Sequence, residues 1–336
     1  MLKPNKILFL ILMISSTLFS ISSISWMAAW VGLEINLLSI MPLLKNFSNK
    51  YSSEAAIKYF IVQAMSSSIL LFSVIIYINM NNWTMNLDKI HTILIMAILL
   101  LKMGAAPFHF WYPEVASGLN WQMNFIMMTW QKIAPMILLT YTKMNSMVLS
   151  ITIIVSSLIS GLQGMNQTCL RKIMAYSSIS HVSWMISAMM NSLTVWMYYF
   201  IIYCLLNYIM IKIMDKNNIY FMNQLANSFS MNKKIKFFFM LNFLSLGGLP
   251  PFLGFFPKWM TVNHMIKNNY YILMTMLIIF TLVSIYFYTR ITFSTFTMNS
   301  KESLIKIFNQ ITYFHFMINL FSLIGLIASA ITTSLL

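Results

Sequence analysis

Charged residues are scarce in this sequence of 336 residues. Asp, Glu, Lys and Arg together make up 8% of it, whereas a soluble domain carries about 25%. Acidic residues are the rarest, since six Asp and Glu stand against 21 Lys and Arg and leave a formal net charge of +15. A soluble chain of this length could not cover its surface with so few charges, so the composition excludes a soluble globular protein.

Cysteine is nearly absent as well. The two that occur, Cys169 and Cys204, lack the spacing of metal-binding or redox motifs. No pair of histidine and cysteine has the spacing of metal or haem ligands, so we expect no metal site and no redox chemistry in this chain. The basic residues lie singly in short loops without an aromatic-interleaved patch, which argues against nucleic acid as a partner.

Long apolar runs make up most of the chain, and 59% of its residues are hydrophobic. Each run is close to the ~20 residues that cross the hydrocarbon core of a bilayer. We therefore predict an all-α polytopic membrane protein, with one transmembrane domain over residues 1–336. Lys3 and Lys6 precede the first run and no convincing cleavage site follows it, which favours a retained helix over a signal peptide. The eleven predicted spans are about 7–23, 26–44, 55–78, 90–112, 121–141, 146–165, 172–190, 194–214, 237–262, 270–293 and 311–335.

The loop charges predict the orientation of these spans. Basic residues three or fewer positions from a span end are counted with the adjoining loop. If the N-terminus lies inside, fifteen of the 21 basic residues then fall in inside segments, three in outside segments and three deeper within spans. Inside loops are expected to hold the Lys and Arg excess. This asymmetry indicates an N-terminus inside and a C-terminus outside.

Four charged residues lie within predicted spans, where a charge at the centre of a helix costs about 2.5–3.5 kcal/mol. A salt bridge to the one acid would leave two lysines without a carboxylate, so a proton pathway is the favoured interpretation. A buried lysine can change between charged and neutral forms when a carboxylate approaches or withdraws. The last of the four lies near a span end, where snorkelling to the interface is an alternative. The residues are Glu34, Lys102, Lys132 and Lys258.

Helix breakers lie close to the lysines in two of the spans. Pro107 follows Lys102, and the run GGLPP precedes Lys258. Irregular backbone at membrane depth is tolerated only where it is buried in protein or lines a hydrated cavity. The broken spans are the fourth and the ninth, and an offset of five helices inverts the orientation. We predict two five-helix inverted repeats, at about 7–141 and 146–293, with a final helix at about 311–335.

Two histidines are further candidates for the relay. The predicted repeat pairs the span of Glu34 with the seventh span, which holds His181, and a satisfied core histidine is the alternative there. His109 lies seven residues after Lys102, about two helical turns. It could extend the relay toward one surface or hydrogen-bond to backbone near Pro107.

Five segments of the chain resemble the antiporter-like membrane subunits of respiratory complex I. The resemblance covers most of the chain in order, weakens after about Met298, and places Glu34 and Lys102 at the family's Glu–Lys pair. Lys132 matches the central lysine of the family and Lys258 the residue of the second broken helix. The segments are WMAAWVGLEINLLSIMPLL, LLLKMGAAPFHFWYPEV, MMTWQKIAP, NQTCLRKIMAYSSISHVSWM and NFLSLGGLPPFLGFFPKW.

The resemblance implies proton translocation across the mitochondrial inner membrane, with the N-terminus in the matrix and the C-terminus in the intermembrane space. Electron transfer from NADH to ubiquinone, with FMN and iron–sulfur clusters, would occur elsewhere in the complex, so no cofactor is expected here. The expected partners are the other subunits, especially neighbouring antiporter-like ones, and membrane lipids. A self-standing cation/proton antiporter and a passive membrane scaffold are the alternatives.

Overall fold

The computed structural model describes residues 4–45, 49–79, 85–142, 144–228, 233–250 and 252–297. Their regular elements are all α-helices, and only one isolated bridge pairs extended residues, between Cys169 and Phe221. The chain divides into two compact units, Met1–Thr152 and Ile153–Leu336. The predicted all-α architecture is thus found throughout the described part.

Seven helices belong wholly to the first unit. Gly32 of the second helix packs directly on Ser20 of the first, because a Cβ at Gly32 would lie 2.8 Å from the Ser20 Cβ. The helices are α1 (Pro4–Ser22), α2 (Trp26–Leu44), α3 (Lys50–Asn79), α4 (Met85–Met103), α5 (Trp111–Gly118), α6 (Trp121–Met128) and α7 (Trp130–Tyr141).

An eighth helix, α8 (Ser146–Met165), crosses the boundary, and six more belong to the second unit. Helix α9 is the core element of that unit, because nearly all of its residues are buried and it packs on α10, α13 and α14. The helices are α9 (Leu170–Asn191), α10 (Leu193–Lys216), α11 (Met222–Ser228), α12 (Lys233–Gly247), α13 (Phe255–Lys267) and α14 (Tyr271–Thr297).

Six of the described helices are long and apolar enough to cross a membrane: α1, α2, α3, α8, α10 and α14. They coincide with six of the eleven predicted spans. The span at 237–262 is divided between α12 and α13. The helix of the span at 90–112 ends at Met103, and α5 begins only at Trp111, so both spans are interrupted as the breakers predicted. The span at 172–190 is one continuous helix, but its serines and His181 keep it outside this set of six. The span predicted at 311–335 lies outside the described residues, and the count of eleven stays a prediction.

The span predicted at 121–141 consists of two helices, although no break was predicted there. Thr129 separates α6 from α7. Its hydroxyl donates to the carbonyl of Phe125 at 2.7 Å, a back-bond of the kind that bends helices. Pro135 then removes one further backbone donor from α7. Lys132 therefore lies in the first turn of a new helix instead of in mid-span.

Candidate functional site

The first break lies between α4 and α5 and begins at a glycine in the left-handed region. Gly104 has a φ of 72°. Its N–H donates to the carbonyl of Leu101 at 3.0 Å, and the N–H of Ala105 donates to that of Leu100 at 3.0 Å. This pair of bonds is a Schellman motif, which closes the end of a helix. The peptide between Ala106 and Pro107 is cis.

Two side chains also donate to carbonyls of this helix end. Trp111 Nε1 donates to the carbonyl of Leu101 at 3.2 Å. Gln63 Nε2, on α3, reaches the carbonyl of Lys102 at 3.4 Å. Backbone groups at membrane depth need partners within the protein, and here neighbouring residues supply them.

The second break lies between α12 and α13 and repeats the motif. Gly248 has a φ of 77°. Its N–H donates to the carbonyl of Ser245 at 3.0 Å, and the N–H of Leu249 donates to that of Leu244 at 3.3 Å. Gly254 lies against the same turn, because a Cβ there would overlap the Ser245 carbonyl oxygen.

Lys258 lies just beyond this break and turns back to it. Its Nζ donates to the carbonyl of Gly247, the last residue of α12, at 2.7 Å. It also lies 5.8 Å from the ring centroid of Trp184 on α9. Lys258 is partly exposed. A lysine that snorkels to the interface would keep its ammonium in water. In this structure the ammonium donates to backbone, and snorkelling to the interface stays a prediction.

Lys102 is buried in the last turn of α4, with 7% of its surface exposed. The Glu34 carboxylate on α2 interacts electrostatically with its ammonium. Among the described residues, the ion pairs within 4.0 Å are those of Lys58 with Glu54 and Glu114. Glu34 therefore acts on Lys102 across a longer distance than a direct ion pair.

Lys132 is the most deeply buried of the three candidate lysines, with 2% of its surface exposed. Its Nζ lies 5.0 Å from the ring centroid of Tyr112, on the helix that follows the first break. An aromatic face attracts a cation at this distance. The first unit thus holds Glu34, Lys102 and Lys132 on three different helices.

The sequence reasoning missed a pair of buried amides beside these charges. Asn36 Nδ2 donates to Gln131 Oε1 at 2.9 Å, and Gln131 Nε2 donates to Asn36 Oδ1 at 3.2 Å. The hydroxyl of Tyr59 donates to the same Gln131 oxygen at 3.4 Å. Amides within apolar spans, next to Glu34 and Lys132, were the available signal.

The two candidate histidines lie in different units. His109 is fully buried, with its Nδ1 at 3.3 Å from the Pro107 carbonyl oxygen and its ring against Phe110. His181 lies in α9, where its Nδ1 is 2.9 Å from the hydroxyl of Tyr199. Both have hydrogen-bonding neighbours, and a part in proton transfer stays a prediction for each.

Known sequences match most of this chain. The family described as NADH:quinone oxidoreductase/Mrp antiporter, TM, matches residues 23–284. The chain is 47% identical to NADH-ubiquinone oxidoreductase chain 2 of Anopheles gambiae over 305 residues, which is 90% of this chain and 89% of that protein. It is 46% identical to the protein of the same name from Locusta migratoria over 299 residues, which is 89% of this chain and 87% of that protein.

Solved structures share the fold at lower identity. A chain of respiratory complex I from Thermus thermophilus with bound aureothin has a TM-score of 0.84 at 20% identity, covering 97% of this chain and 78% of that one. A chain of the Mrp complex from Dietzia sp. DQ12-45-1b has a TM-score of 0.71 at 15% identity, covering 84% and 59%.

Proposed function

Because the chain belongs to the family of NADH:quinone oxidoreductase and Mrp antiporter transmembrane subunits, we propose that it is a proton-translocating membrane subunit of respiratory complex I. Curated relatives of that name align over about nine-tenths of it. Its partners are then the other subunits, neighbouring antiporter-like chains among them, and lipids. Electron transfer from NADH through FMN and iron–sulfur clusters to ubiquinone takes place elsewhere, and this chain binds no cofactor.

The proposed setting is the mitochondrial inner membrane, with the N-terminus in the matrix and the C-terminus in the intermembrane space. The excess of basic residues in alternate loops supports this orientation. The proposal includes eleven spans and two five-helix inverted repeats. The same glycine-closed helix end at Gly104 and Gly248, one in each unit, supports the repeats.

The proposed relay consists of Glu34, Lys102 and Lys132 in the first unit and Lys258 in the second, with His109 and His181 as further members. The surroundings of Lys102 carry this proposal. Lys102 is 7% exposed and lies beside a closed helix break, and the Glu34 carboxylate interacts electrostatically with its ammonium. Burial disfavours the charged form of a lysine, and a nearby carboxylate favours it. The proton occupancy of such a lysine depends on the position of its acid.

A proton step follows from this arrangement. With the Glu34 carboxylate near, Lys102 Nζ holds its proton as an ammonium. When the carboxylate withdraws, Nζ releases the proton and keeps its electron pair, and a neutral Lys132 in the same unit is the next base. The Tyr112 ring then stabilises the new ammonium on Lys132.

The test is NADH-driven proton transport by the assembled complex carrying Lys102→Met. Methionine keeps an unbranched side chain but cannot carry a proton, so we expect a loss of pumping of about tenfold or more. Lys267→Met is the matched control, because Lys267 is exposed at the end of α13. A normal proton-to-electron ratio in the Lys102→Met complex would contradict the relay.

A self-standing cation/proton antiporter is the second candidate, because the fold is shared with a chain of the Mrp complex. The purified chain in liposomes decides between the two functions. Ion exchange by the chain alone would favour the antiporter. Co-purification with flavin and iron–sulfur proteins, without exchange by the chain alone, would favour the respiratory complex.

A further inference from the structure

The Asn36–Gln131 pair has no part in the relay described so far, yet its two amides are buried and hydrogen-bonded to each other. Asn36 is 5% exposed and Gln131 is 9% exposed. Each amide donates one N–H to the oxygen of the other, at 2.9 and 3.2 Å. Buried amides are costly unless they are hydrogen-bonded, so the two side chains hold each other in one arrangement.

The pair joins the helices that carry the proposed acid and the central base. Asn36 lies two residues after Glu34 on α2, and Gln131 directly precedes Lys132 on α7. Helix α3 is tied to α7 and α4, because Tyr59 donates to Gln131 and Gln63, one turn later, reaches the carbonyl of Lys102.

An amide keeps its charge state when a proton passes nearby. The energy between two charges depends on their separation, so a link that does not titrate can hold that separation while the charges change. We propose that the Asn36–Gln131 pair, supported by Tyr59, is a positioning bridge that fixes Glu34 relative to Lys102 and Lys132. This inference rests on the proposed relay, and the two residues act through the charged ones.

The titratable groups around the bridge can be named from each helix that packs there. The buried ones are Tyr59 on α3, His91 and Lys102 on α4 and Tyr112 on α5. Helix α6 contains no titratable residue, and α1 contains only Lys6, which is exposed. A change in the pH dependence of pumping on loss of the bridge therefore reports on these buried groups together with Glu34 and Lys132.

The test compares proton pumping by the assembled complex carrying Asn36→Leu, Gln131→Leu or the exchange Asn36→Gln with Gln131→Asn. A more distant carboxylate stabilises the ammonium form of the lysines less. Each single variant should therefore move the alkaline limb of the pH profile of pumping to lower pH. We expect a shift of about one pH unit, which is a tenfold change in proton affinity. The exchange keeps both amides and the summed side-chain length, so it should restore the wild-type profile.

The matched control is a second amide pair, in which Asn268 Nδ2 donates to Asn191 Oδ1 at 2.7 Å on the exposed surface. Asn268→Leu breaks that bond, and no shift is expected. If Asn36→Leu fails to assemble, Gln131→Met keeps the side-chain length and answers the same question.

Two results would overturn the bridge. One is a wild-type pH profile in assembled single variants, and the other is an exchange variant as shifted as the singles. Lys132→Met is measured in parallel to separate the two proposals. If it abolishes pumping while the bridge variants have no effect, only the bridge fails. If it pumps normally, the relay itself fails.

Discussion

The two breaks end their first helix in the same way and place the lysine on opposite sides of the gap. Lys102 belongs to the helix before the first break, and its ammonium feels the carboxylate of Glu34. Lys258 belongs to the helix after the second break, and its ammonium donates to the carbonyl of Gly247. A helix C-terminus attracts a cation. One lysine therefore depends on an acid and the other on fixed backbone.

Because of this difference, we expect Lys102 and Lys258 to have different roles. In the proposed relay a change in the rotamer of Glu34 would be enough to change the proton occupancy of Lys102. The Gly247 carbonyl can only move with its helix. We therefore expect substitutions at the second break to affect structure first, and substitutions at Lys102 to affect proton transfer first.

The largest effect is expected at Gly254. Gly254→Val would drive a side chain into the Ser245 carbonyl and force α12 and α13 apart. Overpacking costs about 1–3 kcal/mol even where side chains can yield, and backbone yields less, so we expect little assembled complex by native gel. Gly247→Ala is the control in the same break, because its Cβ would meet only ordinary contacts from 3.4 Å. Equal assembly of the two variants would contradict this account.

The next effect separates the two lysines. Arginine donates hydrogen bonds but does not release its proton. Lys102→Arg should lower proton pumping by about tenfold or more, whereas Lys258→Arg can still donate to the Gly247 carbonyl and should assemble normally. Pumping and complex level are measured on the same membranes. If Lys102→Arg pumps at the wild-type rate, the contrast between an acid-controlled lysine and a backbone-bound one is lost.

A smaller effect is expected at the two glycines in the left-handed region. Gly104→Ala and Gly248→Ala each introduce a Cβ at positive φ, which costs about 1–2 kcal/mol. At Gly248 the new Cβ would also lie 2.8 Å from the Lys258 side chain, whereas at Gly104 it would meet Tyr112 at 3.1 Å. Thermal unfolding should show a lower melting temperature for both variants. Only Gly248→Ala should also displace the Lys258 side chain. A larger loss of stability in Gly104→Ala than in Gly248→Ala would contradict this comparison.

The smallest effect concerns the side chains that complete the first helix end. Trp111→Phe removes the donor to the Leu101 carbonyl while keeping an aromatic ring. The loss of one hydrogen bond should lower stability by about 1 kcal/mol, measured by the denaturant midpoint of the complex. Trp259→Phe is the matched exposed control. An unchanged midpoint would mean that this bond contributes nothing to the break.

Sequence alone located the features that depend on composition and on strong local signals. Pro107 and the GGLPP run predicted both breaks, and the charges within apolar spans singled out Lys102 and Lys132. The structure adds that Gly104 and Gly248, in the left-handed region, close the two helix ends. Proline removes a donor, but glycine provides the backbone conformation that the motif requires.

The missed features depend on contacts between distant parts of the chain. Asn36 and Gln131 are 95 residues apart, so nothing local shows that their amides meet. The interruption at Thr129 was missed because a single hydroxyl back-bond leaves the apolar pattern of the span unchanged. Helix α9 was located correctly. Its serines donate to carbonyls of the same helix, so these polar residues do not interrupt it.

The first break also bears on wetting and drying of the protein interior. Three of the carbonyls at the end of α4, those of Leu100, Leu101 and Lys102, each accept from a protein N–H. The hydrogen bonds of these three groups therefore do not depend on solvent. A change in hydration beside Lys102 would therefore leave these three hydrogen bonds, and the turn at Gly104, in place.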